Sequence, residues 1–103
     1  DKRLKTNIKP LNNSLQKVLS LNGVYYTWIS DAESKNQIGF IAQEVEEVIP
    51  EVVETDTALV NGGSNLLENK KSVSYSKIVP VLVEAIKELT TKVEALEKRL
   101  GDK

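Results

Sequence analysis

The sequence contains no cysteine, no histidine and no methionine. Without cysteine there is neither a disulfide framework nor a thiolate metal site. Without histidine the commonest general base is gone, and with it the Ser-His-Asp triad and the usual zinc chemistry. Any acid–base catalysis must therefore use lysine or a carboxylate. Charge of one sign is lacking too, because 14 basic residues face 15 acidic ones. That balance argues against a nucleic-acid or anionic-membrane partner, and no nucleic-acid-binding motif is present. No apolar run approaches the ~20 residues of a membrane span, and no signal peptide opens the chain. Aromatics are few, yet Tyr25, Tyr26 and Trp28 crowd into one short stretch. Core and interface packing is the expected use of such a cluster, ahead of a ligand-stacking platform. A chain of 103 residues makes one domain with a small core, and oligomerisation would help stabilise it. A start at Asp1 without methionine is expected of a piece of a longer protein.

Along the chain, residues 1–74 read as a compact mixed region and residues 75–103 as one long helix. Leu11, Leu15, Val18 and Leu19 recur at helical spacing, with Asn12 and Asn13 as candidate caps and Gly23 closing the segment. Gly23 to Ile29 is rich in β-branched and aromatic residues and predicts a strand. After a polar loop over 30–36, Gln37 to Ile41 predicts a second strand, antiparallel to the first. Ile41, Val45, Val48 and Ile49 share a helical face, and Pro50 stops that helix. Val52–Thr55 and Lys71–Ser74 read as two more short strands. Between them, Asn61-Gly62-Gly63-Ser64-Asn65 marks a turn, and Thr57–Asn69 as a whole reads as a variable loop.

The tail carries the clearest physical signal. With Ile86 at heptad position a, the a positions are Val79, Ile86, Val93 and Leu100. The d positions are Tyr75, Leu82, Leu89 and Leu96. The 4-3 spacing never slips. Lys87, Glu88, Thr91, Glu94 and Lys98 fall opposite, as an expected solvated face. Lys92 at g and Glu97 at the following e are placed to pair between parallel helices. From Tyr75 to Leu100 the helix would span about 39 Å at 1.5 Å per residue, with Gly101 at its end. Pro80 is awkward inside a helix, so the regular coil is expected to begin after it. The bland alternative is an amphipathic helix packed on its own domain, but a stripe this narrow favours self-association. β-Branched residues at a with Leu at d favour two parallel strands. On that rule alone the assembly would be a dimer.

Four segments together resemble a known family. Asp1-Lys2-Arg3-Leu4-Lys5-Thr6-Asn7-Ile8 is similar to the D-x-R-x-K-x-x-I segment of the phage intramolecular chaperone domain. Leu21 to Trp28 resembles its L-x-G-V-x-Y-x-W. Ile38 to Glu51 is close to its G-x-I-A-Q-E-V-E-E-x-x-P-E. Lys71 to Tyr75 and Ala85 to Leu89 resemble its K-x-V-x-Y and A-I-K-E-L. The resemblance runs in order over essentially the whole chain, the Thr57–Asn69 stretch excepted. Such domains end phage tail-spike, tail-fibre and neck-appendage proteins, and they also occur in some membrane-tethered eukaryotic transcription factors.

The resemblance implies a self-cleaving Ser-Lys peptidase and a homotrimer. In the family a serine directly precedes the Asp of the motif, acts as nucleophile and marks the bond that is cut. This sequence begins at Asp1, so that serine is not in it. Lys5 matches the motif's general base. A solvated lysine, with a pKa near 10.4, is a poor proton acceptor at neutral pH, so burial or neighbouring cations must lower it. Arg3 is one such cation, and a trimer interface would supply burial. A serine before Asp1 lies about 17 Å from Lys5 along a strand, and on the opposite face. Either the chain turns sharply between them, or the lysine of one subunit serves the serine of another. Supporting roles fall to Asp1, to Arg3 as a bidentate partner of a carboxylate such as Glu44, and to Gln43 as an orienting or oxyanion amide.

The expected fold class is α+β: a small mixed domain with short antiparallel strands and short helices, then a long helix in a parallel coiled coil. Val79, Leu82, Ile86, Leu89, Val93, Leu96 and Leu100 are the expected oligomerisation residues. The implied function is to trimerise and help fold an upstream fibre or spike domain of the same polypeptide, then to detach by autoproteolysis. No cofactor or metal is needed, and no nucleic acid or membrane is an expected partner. The expected setting is the host cytoplasm during virion assembly, the domain being lost from the mature particle. The rival readings are a trimerisation module that never cleaves, and a coiled-coil adaptor whose first 74 residues bind another protein.

Overall fold

The computed structural model describes residues 1–31, 33–60 and 65–101. A 3-10 turn at Lys2–Leu4 opens the chain, followed by helix α1 (Ser14–Leu19) and an antiparallel pair, β1 (Val24–Tyr26) with β2 (Gln37–Gly39). Helix α2 (Ala42–Val48) leads into a second 3-10 turn at Pro50–Val52. A longer hairpin, β3 (Val53–Val60) with β4 (Asn65–Val73), then precedes helix α3 (Tyr75–Gly101). The architecture is the expected α+β mixture, with two separate two-stranded sheets.

The core is small, and α3 builds much of it. Val45 and Ile49 sit four residues apart on one side of α2 and are buried, as helical periodicity requires. Pro50 ends α2 because its ring fixes φ and removes the N–H, and the 3-10 turn swings Val52 back into the same cluster. Ile78 and Val81 of α3 complete it, with Val18, Leu21, Phe40, Val48, Val53 and Val73 packed around. Ala85, one turn further along α3, is also buried. The amide of Ser74 donates to Val52 O at 2.7 Å, fixing the start of α3 beside the turn.

Several local expectations change. Helix α1 is shorter than its apolar spacing suggested, and Asn13 occupies the cap position with φ 52° but no side-chain cap bond. The two long strands extend well past Val52–Thr55 and Lys71–Ser74, through much of the stretch taken as a variable loop. The hairpin absorbs one extra residue on β4 between the Asp56–Lys70 and Ala58–Leu67 pairs. There Asn69 adopts φ 56°, a left-handed conformation that asparagine tolerates better than most residues. The turn expected over 61–65 lies outside the described residues except for Asn65, which opens β4. Helix α3 runs unbroken through Pro80, which lies near its start.

The molecule is long, 66 × 39 × 22 Å with a radius of gyration of 18.9 Å. A compact domain of this length would have a radius near ~13 Å. The excess comes partly from α3, where every residue from Leu89 to Leu100 is exposed. No helix among the described residues is long and apolar enough to cross a membrane.

Candidate assembly surface and cleavage segment

Helix α3 has two apolar sides. Ile78, Val81 and Ala85 point into the domain and are buried. Those residues hold heptad positions g, c and g. The a and d residues Val79, Leu82, Ile86, Leu89, Val93, Leu96 and Leu100 are all exposed, Ile86 to 63%. Own-domain packing therefore does not account for the heptads, and the stripe lies open beside the buried face. Burying a Leu or Ile side chain is worth about 1.5–3 kcal/mol, so this row represents a large unsatisfied driving force. Tyr75, the first d residue, is committed to the domain. Its hydroxyl accepts from the Phe40 amide at 3.1 Å, and its ring stacks on Phe40 with centroids 5.7 Å apart.

That contact requires Gly39. A Cβ there would collide with the Tyr75 hydroxyl and press on the Tyr26 ring. Lys71 ties the long hairpin to α2, donating to Glu46 Oε2 at 2.9 Å and to Thr55 Oγ1 at 3.2 Å. The family-like segments around Gly39–Glu46 and Lys71–Tyr75 thus meet in space. Of the clustered aromatics, Tyr26 is half-buried and meets Trp28 edge-on at 5.1 Å. Tyr25 and Trp28 are exposed, so this chain alone does not use them as core.

Glu88 corrects the expected solvated face. It is half-buried, and its Oε2 accepts from the amides of Ser14 at 2.8 Å and Leu15 at 3.2 Å. A carboxylate there satisfies two orphan N–H groups of α1 and complements the positive end of its dipole. Glu88 therefore does the capping expected of Asn12 or Asn13. Asn13, in a left-handed rather than extended backbone conformation, makes no side-chain cap bond. Sequence spacing gave no sign of this, since the contact joins residues far apart in the chain.

The N-terminal segment does turn. Asp1 Oδ1 accepts from the Arg3 amide at 2.9 Å, and Leu4 N donates to Asp1 O at 3.1 Å. Lys5 N donates to Lys2 O at 3.2 Å, after which the backbone becomes extended. The expected Arg3–Glu44 pair is not formed. Arg3 instead grips Asp1, with Nη2 to Oδ2 at 2.6 Å and Nε to both carboxylate oxygens at 3.2 Å. The closer carboxylate wins because the 3-10 turn folds Arg3 back over it.

Lys5, Gln43 and Glu44 are exposed. No hydrogen bond or ion pair among the described residues joins Gln43 or Glu44 to Asp1, Arg3 or Lys5. Within α2, Val45 is core and Glu46 pairs with Lys71, while Gln43 and Glu44 face outward.

The chain is thus a small mixed domain whose last helix leaves its heptad stripe exposed. The chain belongs to the peptidase family described as chaperone of endosialidase, whose model matches residues 1–54. It is 38% identical over 104 residues to the long tail fiber protein Gp37 of Enterobacteria phage K3, a match covering 97% of this chain and 8% of that protein. The Gp37 of Enterobacteria phage T2 gives the same identity, with 7% of that protein covered. The Gp37 of Enterobacteria phage M1 is 32% identical over the whole chain, which spans 40% of it. The chain thus corresponds to less than a tenth of the first two relatives.

Proposed function

We propose that this chain is an intramolecular chaperone of a phage fibre protein, acting as a self-associating clamp that later cuts itself free. Three copies join through parallel α3 seams in the host cytoplasm, during virion assembly. The carrying observation is that the heptad stripe lies on a different side of α3 from the side its own domain buries. Bringing three fibre chains into register is slow, because loop-closure entropy opposes distant pairing. A clamp on one end raises the effective concentration of the rest.

Cleavage then discards the clamp and leaves the assembled fibre kinetically trapped. The serine expected before Asp1 attacks the carbonyl carbon of the residue preceding it, and Lys5 takes the hydroxyl proton. That proton passes to the serine's own amide nitrogen as the C–N bond breaks. Water hydrolyses the resulting ester, restoring the hydroxyl and leaving a new carboxylate upstream. The turn at Lys2–Leu4 supports a short path between serine and lysine. The exposure of Lys5 in one chain gives assembly a role, since a neighbouring subunit would bury it. Gln43 and Glu44, facing outward on α2, are available to the same assembled site.

The test is a chain extended upstream through the expected serine and into the preceding domain. Wild type should release a piece beginning Ser-Asp, identified by mass spectrometry, and Lys5→Ala should release none. An intact chain in both, still trimeric by light scattering, would reduce the domain to a permanent clamp. Release that persists in Lys5→Ala would remove the lysine from the chemistry.

A further inference from the structure

Beside the seam, α3 has a second open edge. Val79, Pro80, Val83 and Glu84 line a groove of about 530 Å³ with Pro10 and Leu11 of the N-terminal segment. Val83 holds heptad position e and is 48% exposed. The domain's own elements cover the other flank of the helix, through Val81 and Glu88 at c and Ile78 and Ala85 at g. The two flanks of the seam are therefore unequal: one is grooved and empty, the other carries α1.

In a parallel coiled coil, the e edge of each helix faces the g edge of its neighbour. The g edge here is where a second copy's own domain sits, so the groove of one copy must face the domain of the next. The surface of α1 that arrives there follows from its contacts. Ser14, Val18 and Leu21 are turned inward. Lys17 lines another hollow with Ile49, Glu51, Lys77 and Pro80, on the side away from the seam. Leu15, which is half-buried, and Leu19, four residues apart, share the side of α1 opposite Lys17. Leu19 is 75% exposed.

We propose that the groove at Val79 and Val83 is the docking site for the Leu15–Leu19 edge of α1 in a second copy of this chain. The inference rests on the parallel homo-oligomer proposed above, and it adds a contact between subunits that the heptads do not contain. An apolar hollow meets an apolar ridge, and the relation repeats head-to-tail around the axis, closing a ring. It also draws the N-terminal segment, through Pro10 and Leu11, into the joint between subunits.

Because the chain lacks cysteine, single cysteines can report the contact. Leu19→Cys and Val83→Cys chains would be made separately, unfolded together, refolded as a mixture and oxidised mildly. Both positions are exposed, so the substitutions should spare the fold. The expected result on a non-reducing gel is a covalent pair of the two chains in the mixture. The band should be lost when Lys17→Cys replaces Leu19→Cys. An oligomer by light scattering with no such pair, or with equal pairing from Lys17→Cys, overturns the docking and leaves the seam standing. A monomer overturns both.

Discussion

Glu88 shows how far one side chain's role can depend on the fold around it. Its Oε2 holds the first two amides of α1, joining α1 to α3 across most of the chain. Glu88→Ala should destabilise the chain by about 1–2 kcal/mol, the usual cost of losing an N-terminal cap. Glu88→Gln keeps an acceptor oxygen and should lose less, as urea unfolding followed by circular dichroism will show. Equal losses from both would mean that the carboxylate charge, not the hydrogen bonds, supplies the stability. Tyr75 offers a parallel test: Tyr75→Phe removes the solvent-accessible bond to the Phe40 amide, at about 0.5–1.5 kcal/mol. Gly39→Ala should do at least as much harm, since its methyl group collides with the same hydroxyl. The sequence marked Gly39 and Tyr75 as parts of recurring segments, but not that they touch.

At the scale of elements, what was legible follows from periodicity and punctuation. Val45 and Ile49 with Pro50 after them specified α2 and its end, and the heptads specified α3 with its outward residues. The pairing of β1 with β2 was also readable from two apolar runs around a polar loop. The arms of the long hairpin were not, because Thr57–Asn69 lacks clean alternation and its pairing is interrupted at Asn69. Nor did the heptads reveal the second side of α3, as Ile78, Val81 and Ala85 look like ordinary flanking residues until α1 and α2 cover them. Lys5 and Arg3 were legible as candidates through resemblance, whereas Asp1 as the partner of Arg3 required the turn itself. The division of α3 has a consequence. A chain ending at Glu88 keeps every core residue of the helix and should retain its domain fold by circular dichroism, while light scattering shows weakened association. Unfolding on that truncation would mean that Leu89–Leu100 supports the domain, either from within one chain or through the association it is proposed to drive.

For the whole molecule, an open seam on a long, thin chain would couple folding to assembly once copies associate through it. If three chains fold and associate together, dilution must lower the unfolding midpoint, because anything that binds the native state stabilises it by mass action. Per chain, a tenfold dilution of a trimer removes two thirds of 1.4 kcal/mol, or about 0.9 kcal/mol. With an unfolding entropy of about 2.1 cal/mol/K per residue, that corresponds to a midpoint lower by about 4 °C. A dimer loses half of 1.4 kcal/mol per chain, for a shift nearer about 3 °C on the same scale. Leu89→Asp, which places a carboxylate where the seams would meet, should abolish the dependence while sparing the core built from Val45, Ile49, Val52, Ile78 and Val81. Calorimetry across two decades of concentration is the measurement. A midpoint that stays constant for the wild-type chain would show that the seam is idle under those conditions, and the exposed leucines would then need a different partner.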